Sequence, residues 1–184
     1  MQVIAGTAKG KKILLPHNVT GVRPMTSRVK ASLFDILTPH LMDAVVLDLF
    51  AGTGQLGIEA LSRGARHCTF IELDKKVISV TRKNIQSTNM ESQSTVVHQN
   101  VLTFLNRSTD QAYDLILISP PQYKGLVLST MEALDGLYQR TKTTIVAIQQ
   151  SSKEANPSNL SHLELTDIRN YGSTNLLFYR TTAT

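Results

Sequence analysis

Two spacings of apolar residues alternate along the chain. Short continuous apolar runs predict strands: VVLDLF (45–50), CTFIEL (68–73), Val96-Val97, YDLILIS (113–119) and TTIVAIQ (143–149). Between them the apolar residues recur every three or four positions, as on one face of a helix. Val29, Leu33, Ile36 and Leu37 mark a first helix, capped by Thr26 or Ser27 and ended by Pro39. Leu56, Ile58, Ala60 and Leu61 mark a second, from Gln55 to Arg63, with Gly64 as its stop. Val77, Ile78, Val80 and Ile85 mark a third, from Lys75 to Thr88. A helical turn at 101–106 and a helix from Leu126 to Gln139 follow. After a polar loop at 151–161, LELTDIRNYG and TNLLFYR predict a closing β pair. Strands that alternate with helices predict an α/β fold, with a mostly parallel sheet covered on both faces.

The head departs from this rhythm. Val3-Ile4-Ala5 and Ile13-Leu14-Leu15 flank AKGKK, which predicts a small β-hairpin, and a loop carrying Pro16, Gly21 and Pro24 follows. The chain therefore divides into a hairpin with a basic extension over residues 1–22 and a main domain over residues 23–184.

Composition narrows the classes. A single cysteine, Cys68, excludes an internal disulfide and suits a reducing cytosol; its apolar setting marks it as core. The head has no signal-peptide apolar region, and no apolar run approaches the roughly 20 residues that span a bilayer, so a soluble, cytoplasmic protein is expected. The five histidines lack metal-ligand spacing, and no metal is expected. The net charge is only +5, but residues 1–30 carry Lys9, Lys11, Lys12, Arg23, Arg28 and Lys30 and no acid. A basic arm of this kind is either a solvated face or a footprint for nucleic acid. Lys9, Lys11, Lys12, Arg23 and Arg28 are the candidate nucleic-acid contacts.

The first chemical signal follows the first buried strand. Gly52-Thr53-Gly54-Gln55-Leu56-Gly57 fits G-x-G-x-x-G between a strand and a helix, the setting that this fingerprint requires. Glu72 ends the second strand, where a carboxylate can take ribose hydroxyls. Asp48 lies too close to the loop to welcome a pyrophosphate. It would favour a cationic nucleoside such as S-adenosylmethionine over a nicotinamide dinucleotide, or else it holds the loop amides.

The second signal is Ser119-Pro120-Pro121-Gln122-Tyr123-Lys124-Gly125 at the end of a buried strand. With D48-L-F-A-G-T-G-Q-L-G57 and E72-L-D74, this corner resembles the motifs of S-adenosylmethionine-dependent methyltransferases acting on an exocyclic base amine. The head, I4-A-G6 through V22-R-P-M-T-S-R-V-K30, and the tail, R169-N-Y-G172 with L177-F-Y179, narrow the likeness to RsmD-type small-subunit rRNA (guanine-N2)-methyltransferases. That resemblance covers residues 1 to about 180. It implies a Rossmann-like, doubly wound, seven-stranded sheet with the last strand antiparallel, and a monomer acting on 16S ribosomal RNA, in an assembling small subunit. By position, Asp48, Ala51, Gly52 and Gly54 would surround the methionine part, Glu72 would take the ribose and Asn100 the adenine amine. Phe50, Leu73, Val101 and Ser119 complete the implied cofactor set. Ser119, Pro120, Pro121 and Tyr123 form the implied catalytic corner.

The corner also departs from the family. Ser119 stands where an Asp or Asn is usual, Gln122 where an aromatic is usual, and Gln149 where related chains often carry Glu. Three readings follow: a working enzyme with a softened corner; an RNA-binding assembly factor with weak or no transfer; or a methyltransferase for another nucleotide. "VRPMTSRVK" is either a capped helix start or part of the RNA and cofactor groove, the second being favoured for Arg23 and Thr26 and Lys30 staying open. Tyr171 and Tyr179 are expected in the core.

Overall fold

The computed structural model describes residues 1–16, 25–107, 112–121, 125–137 and 144–182. Its strands are β1 (Val45–Leu49), β2 (His67–Glu72), β3 (Ser94–His98), β4 (Leu115–Ile118), β5 (Ile145–Ser151), β6 (Leu163–Tyr171) and β7 (Thr174–Thr181). Its helices are α1 (Ser27–Leu37), α2 (Gln55–Ser62), α3 (Lys75–Thr88), α4 (Val101–Asn106) and α5 (Leu126–Leu137). The strands form one seven-stranded sheet in the order β3-β2-β1-β4-β5-β7-β6. β1 to β5 are parallel, and β7 runs antiparallel to both β5 and β6, as the resemblance implied.

Alternation along the strands sorts side chains to two faces. Val46, Leu115, Leu117, Ala147 and Phe178 pack toward α1 and α2. Val45, Leu49, Ile116, Ile118, Ile148 and Leu177 pack toward α4 and α5. β1 and β4 are buried throughout, which is why they read as unbroken apolar runs. Cys68 is fully buried and burial pushes its thiol up, in keeping with a core role. Tyr179 is buried and donates to the Pro157 carbonyl at 2.8 Å, whereas Tyr171 is half-buried with its hydroxyl hydrogen-bonded to that of Ser32.

The head is a hairpin closed by one antiparallel bridge, Gln2 to Lys12, and it is not peripheral. Val3, Ala8 and Ile13 are buried in the same cluster as α1, α2 and the sheet. The expected boundary between residues 22 and 23 falls outside the described residues. Polar contacts fix the hairpin on α2. Thr7 N–H donates to the Ser62 carbonyl at 2.8 Å, and Ala8 N–H to Ser62 Oγ at 3.0 Å. Gly6 sits at φ +81°, and an added Cβ would lie 1.6 Å from the Ser62 carbonyl oxygen, so only glycine allows this approach.

Glu59, fully buried on α2, is the centre of that contact. Its carboxylate accepts from Ile4 N–H at 2.8 Å, Ala5 N–H at 3.0 Å, Lys30 Nζ at 3.0 Å and Arg63 Nε at 2.9 Å. Lys30 is only 1% exposed and also donates to the Gln2 carbonyl at 2.8 Å. The position left open in the sequence is thus structural. Thr26 is the N-cap of α1, its hydroxyl accepting from Val29 N–H at 3.4 Å.

Candidate active site

The strand order reverses between β1 and β4, and open α/β sheets bind ligands outside the C-terminal strand ends at such a point. Both chemical segments of the sequence emerge there. The glycine loop follows β1, and the Ser-Pro-Pro corner follows β4. Leu49 pairs with Ile118, and Ser119 N–H points to the Leu49 carbonyl at 3.5 Å.

The glycine loop is held from several sides. Phe50 enters it at φ +61°, a conformation that bulky residues seldom adopt, and Gly52 and Gly54 lie at φ +55° and +79°. Gly52 N–H donates to Glu72 Oε2 at 2.9 Å, and Ala51 N–H to the Ile71 carbonyl at 2.9 Å. Thr81 Oγ1 donates to the Gly52 carbonyl at 2.6 Å, and Asn84 Nδ2 to the Thr53 carbonyl at 2.9 Å. A Cβ on Gly57 would meet Phe70 at 2.3 Å and Cys68 Sγ at 2.6 Å, which explains the third glycine.

Sequence reasoning missed Thr81 and Asn84. Their signal was present: two small polar residues, three positions apart, on the inward face of α3 between Val77 and Ile85. Both are fully buried, whereas Val80, expected inward, is only half-buried. Asn84 also grips the end of the hairpin, accepting from Leu14 N–H at 2.8 Å and donating to its carbonyl at 3.1 Å.

Asp48 lies beneath the loop, 1% exposed, with Oδ2 accepting from Gly57 N–H at 2.9 Å. Its Oδ1 is buried without a hydrogen-bond partner among the described residues. Burial lifts its carboxyl from 3.8 to about 7; the Gly57 hydrogen bond opposes this and the Glu72 charge adds to it. Glu72 accepts from Leu73 and Asp74 N–H through Oε1 at 2.8 and 2.9 Å as well as from Gly52. Leu73 is 59% exposed beside it. Asn100 is exposed and caps α4, accepting from Thr103 N–H at 3.2 Å, while Val101 is buried in the core.

At the corner, Ser119 Oγ donates to Gln149 Oε1 on β5 at 2.8 Å. Two of the three departures named in the sequence therefore touch. Ser119 is half-buried, Pro120 buried and Pro121 exposed; Gln122 and Tyr123 lie outside the described residues. Of the basic arm, Lys9, Lys11, Lys12 and Arg28 are exposed, and Arg23 lies outside the described residues. No group of three His, Cys, Asp or Glu that could hold a metal ion occurs among the described residues, nor any helix long and apolar enough to cross a membrane.

A glycine loop at the switch point of this sheet, beside a proline corner at the end of the neighbouring strand, is the arrangement that the resemblance to S-adenosylmethionine-dependent methyltransferases implied. The chain belongs to the family described as conserved hypothetical protein 95, whose model matches residues 1–180. It is similar to ribosomal RNA small subunit methyltransferase D of Buchnera aphidicola, 35% identical over 83% of this chain and 79% of that protein. The solved structure of yhhF from Escherichia coli, named as a candidate methyltransferase, superposes with a TM-score of 0.88 at 30% identity, covering 100% of this chain and 99% of that one. An RNA methyltransferase from Salinibacter ruber, solved with S-adenosyl-L-homocysteine, shares the fold at a TM-score of 0.67 and 12% identity, covering 86% of this chain and 94% of that one.

S-adenosylmethionine is the cofactor of this class, and the residues present fit it. The orphaned Oδ1 of Asp48 lies beneath the loop, where a carboxylate favours a cationic ligand on the other side, and Glu72 holds the same loop through Gly52 N–H. A cationic ligand favours the ionised form of Asp48, so its binding should lower that raised pKa and release a proton. Affinity for S-adenosylmethionine should then rise several-fold between about pH 5.5 and 7, at most about tenfold per pH unit. Calorimetry in buffers of different ionisation enthalpy reads the proton directly. Asp48→Asn should flatten the dependence, and an unchanged pH profile in that variant would place the titration elsewhere.

Proposed function

We propose that this chain transfers a methyl group from S-adenosylmethionine to the 2-amino nitrogen of a guanine in small-subunit ribosomal RNA. The observation that carries the reading is the juxtaposition of the glycine loop and the Ser119 corner on adjacent strands, with Leu49 beside Ile118. When bound, the cofactor supplies an electrophilic methyl group on a positively charged sulfur.

The residues of the chain then prepare the nucleophile. A guanine 2-amino group is weakly nucleophilic because its lone pair is delocalised into the ring. Ser119 Oγ and the Pro120 carbonyl accept its two hydrogens, which turns the lone pair toward the methyl carbon. With its own proton donated to Gln149, Ser119 presents only lone pairs to the base. Pro120 and Pro121 fix φ, so this geometry is set before the base arrives. Tyr123 stacks on the extruded base. The amino nitrogen so oriented would take the methyl group from the donor, held by the glycine loop, and would give up one proton to water. Alignment of nitrogen, methyl and sulfur is worth several kcal/mol.

On this reading Phe50, Ala51, Gly52 and Gly54 hold the methionine part, Glu72 and Leu73 the ribose, and Asn100 and Val101 the adenine edge. Asp48 acts from below, through the loop. The exposed Lys9, Lys11, Lys12 and Arg28, with Arg23, hold RNA phosphates. The substrate is 16S RNA in an assembling subunit in the bacterial cytoplasm, and the protein acts as a monomer. Tritium transfer from labelled cofactor to small subunits lacking the modification, followed by nucleoside analysis, tests this. Labelled N2-methylguanosine is expected. Cofactor binding with no transfer would support the assembly-factor reading, for which the neutral Ser119–Gln149 pair is the specific observation.

A further inference from the structure

α3 carries Lys75, Lys76, Arg82 and Lys83 and no carboxylate. A surface helix commonly sets acids four residues from its bases, and this one does not. Lys75, Arg82 and Lys83 are exposed, and none of them is ion-paired among the described residues. All three line a groove of about 820 Å³ between α3 and β3, the outermost strand on that side of the sheet. Ile78 and Val96 also line it.

The groove has a direction. Along α3, Lys75 and Arg82 are seven residues apart, about 10 Å at the helical rise. His98 and Lys75 stand at the end next to the cofactor loop: His98 pairs with Glu72, and its Nε2 lies 2.8 Å from the Leu73 carbonyl. Glu91, the one carboxylate among the described lining residues, precedes β3 and so sits at the opposite end. The cations therefore run from the Glu72 edge to the middle of α3, and the acid lies at the far end. Lysines on an edge strand can serve to block unwanted pairing, but these cations belong to the helix and not to β3.

We propose that this groove binds the phosphate backbone of the substrate RNA, as a second track besides the basic head. The occupant follows from charge complementarity and from the ribosomal RNA reading above, on which the proposal rests. The track holds RNA without reading its sequence, because lysine and arginine contacts to phosphate carry position and not base identity. It approaches the cofactor from the β2–β3 side of the sheet, whereas the base enters at β4.

The test is an Arg82→Ala/Lys83→Ala variant, with Arg66→Ala, an exposed residue just before β2 at the other end of the strand, as control. Circular dichroism and S-adenosylmethionine affinity equal to wild type establish that the variants are folded. Binding to unmodified 16S RNA is then measured against salt, together with methyl-transfer kinetics. The double variant should bind about tenfold more weakly at low salt. Its log K against log salt slope should be shallower by about 1.4, two contacts at about 0.7 each for single strands. kcat at saturating RNA should be retained. Affinity and slope equal to those of Arg66→Ala overturn the groove. Failure of the ribosomal RNA reading looks different: the wild-type protein then transfers no methyl group, whether or not the variant has lost RNA affinity.

Discussion

Glu59→Ala lowers the unfolding free energy by about 3–5 kcal/mol, the cost of stranding a buried charge. The stranded charge is Lys30, 1% exposed, whose remaining partner is the Gln2 carbonyl. Ile4 and Ala5 N–H lose their acceptor in the same step. The expected signature in urea is a lower midpoint with an unchanged slope. Lys30→Met should cost less than half as much, because Glu59 keeps Arg63 and the two amides. Equal losses for the two variants would show that the ion pair, and not the four-way seating of the carboxylate, carries the stability.

Ser119→Asp should raise methyl transfer to unmodified small subunits about tenfold in kcat, with little change in cofactor affinity. Hydrogen bonds to an ionised acceptor are about twice as strong as neutral ones, and about 1.4 kcal/mol in the transition state is tenfold in rate. Removing the orienting partner should act in the opposite sense. Gln149→Met frees the Ser119 proton, so kcat should fall several-fold in wild type and not further in a Ser119→Ala background. That non-additivity is the mark of two residues acting through one hydrogen bond. A Ser119→Asp protein that binds cofactor and remains inert would point to a non-catalytic role in assembly.

Much of this molecule could be read from its sequence because the dominant signals are local. β1 and β4 are buried on both faces and appear as apolar runs; α3 has the bounds that its apolar spacing predicts, and Asp74 and Asn89 cap its ends. The glycine loop and the proline corner were legible as strings, and the sheet places them side by side. What escaped depended on contacts between distant segments. α2 was expected to bury one face, yet every residue from Gln55 to Ser62 is buried, because the hairpin covers the other. Nothing in "QLGIEALS" reveals that Glu59 faces a lysine 29 positions earlier. Asn100 was expected at the adenine, and its side chain is also engaged in capping α4. A one-residue motif position cannot show how its lone pairs are shared.

The placement of β7 between β5 and β6 bears on how the polypeptide matures. Among the described residues β6 has no neighbour in the sheet other than β7, and β5 has β7 on its outer side. While translation has not reached residues 174–181, a nascent chain carries β5 with an open flank and β6 with nothing to zip against. Folding of this half therefore waits on the last strand, whereas β1 to β4 can assemble as they emerge. Premature termination in that stretch would leave a sticky border available to other nascent chains, an aggregation hazard and not merely a shorter enzyme.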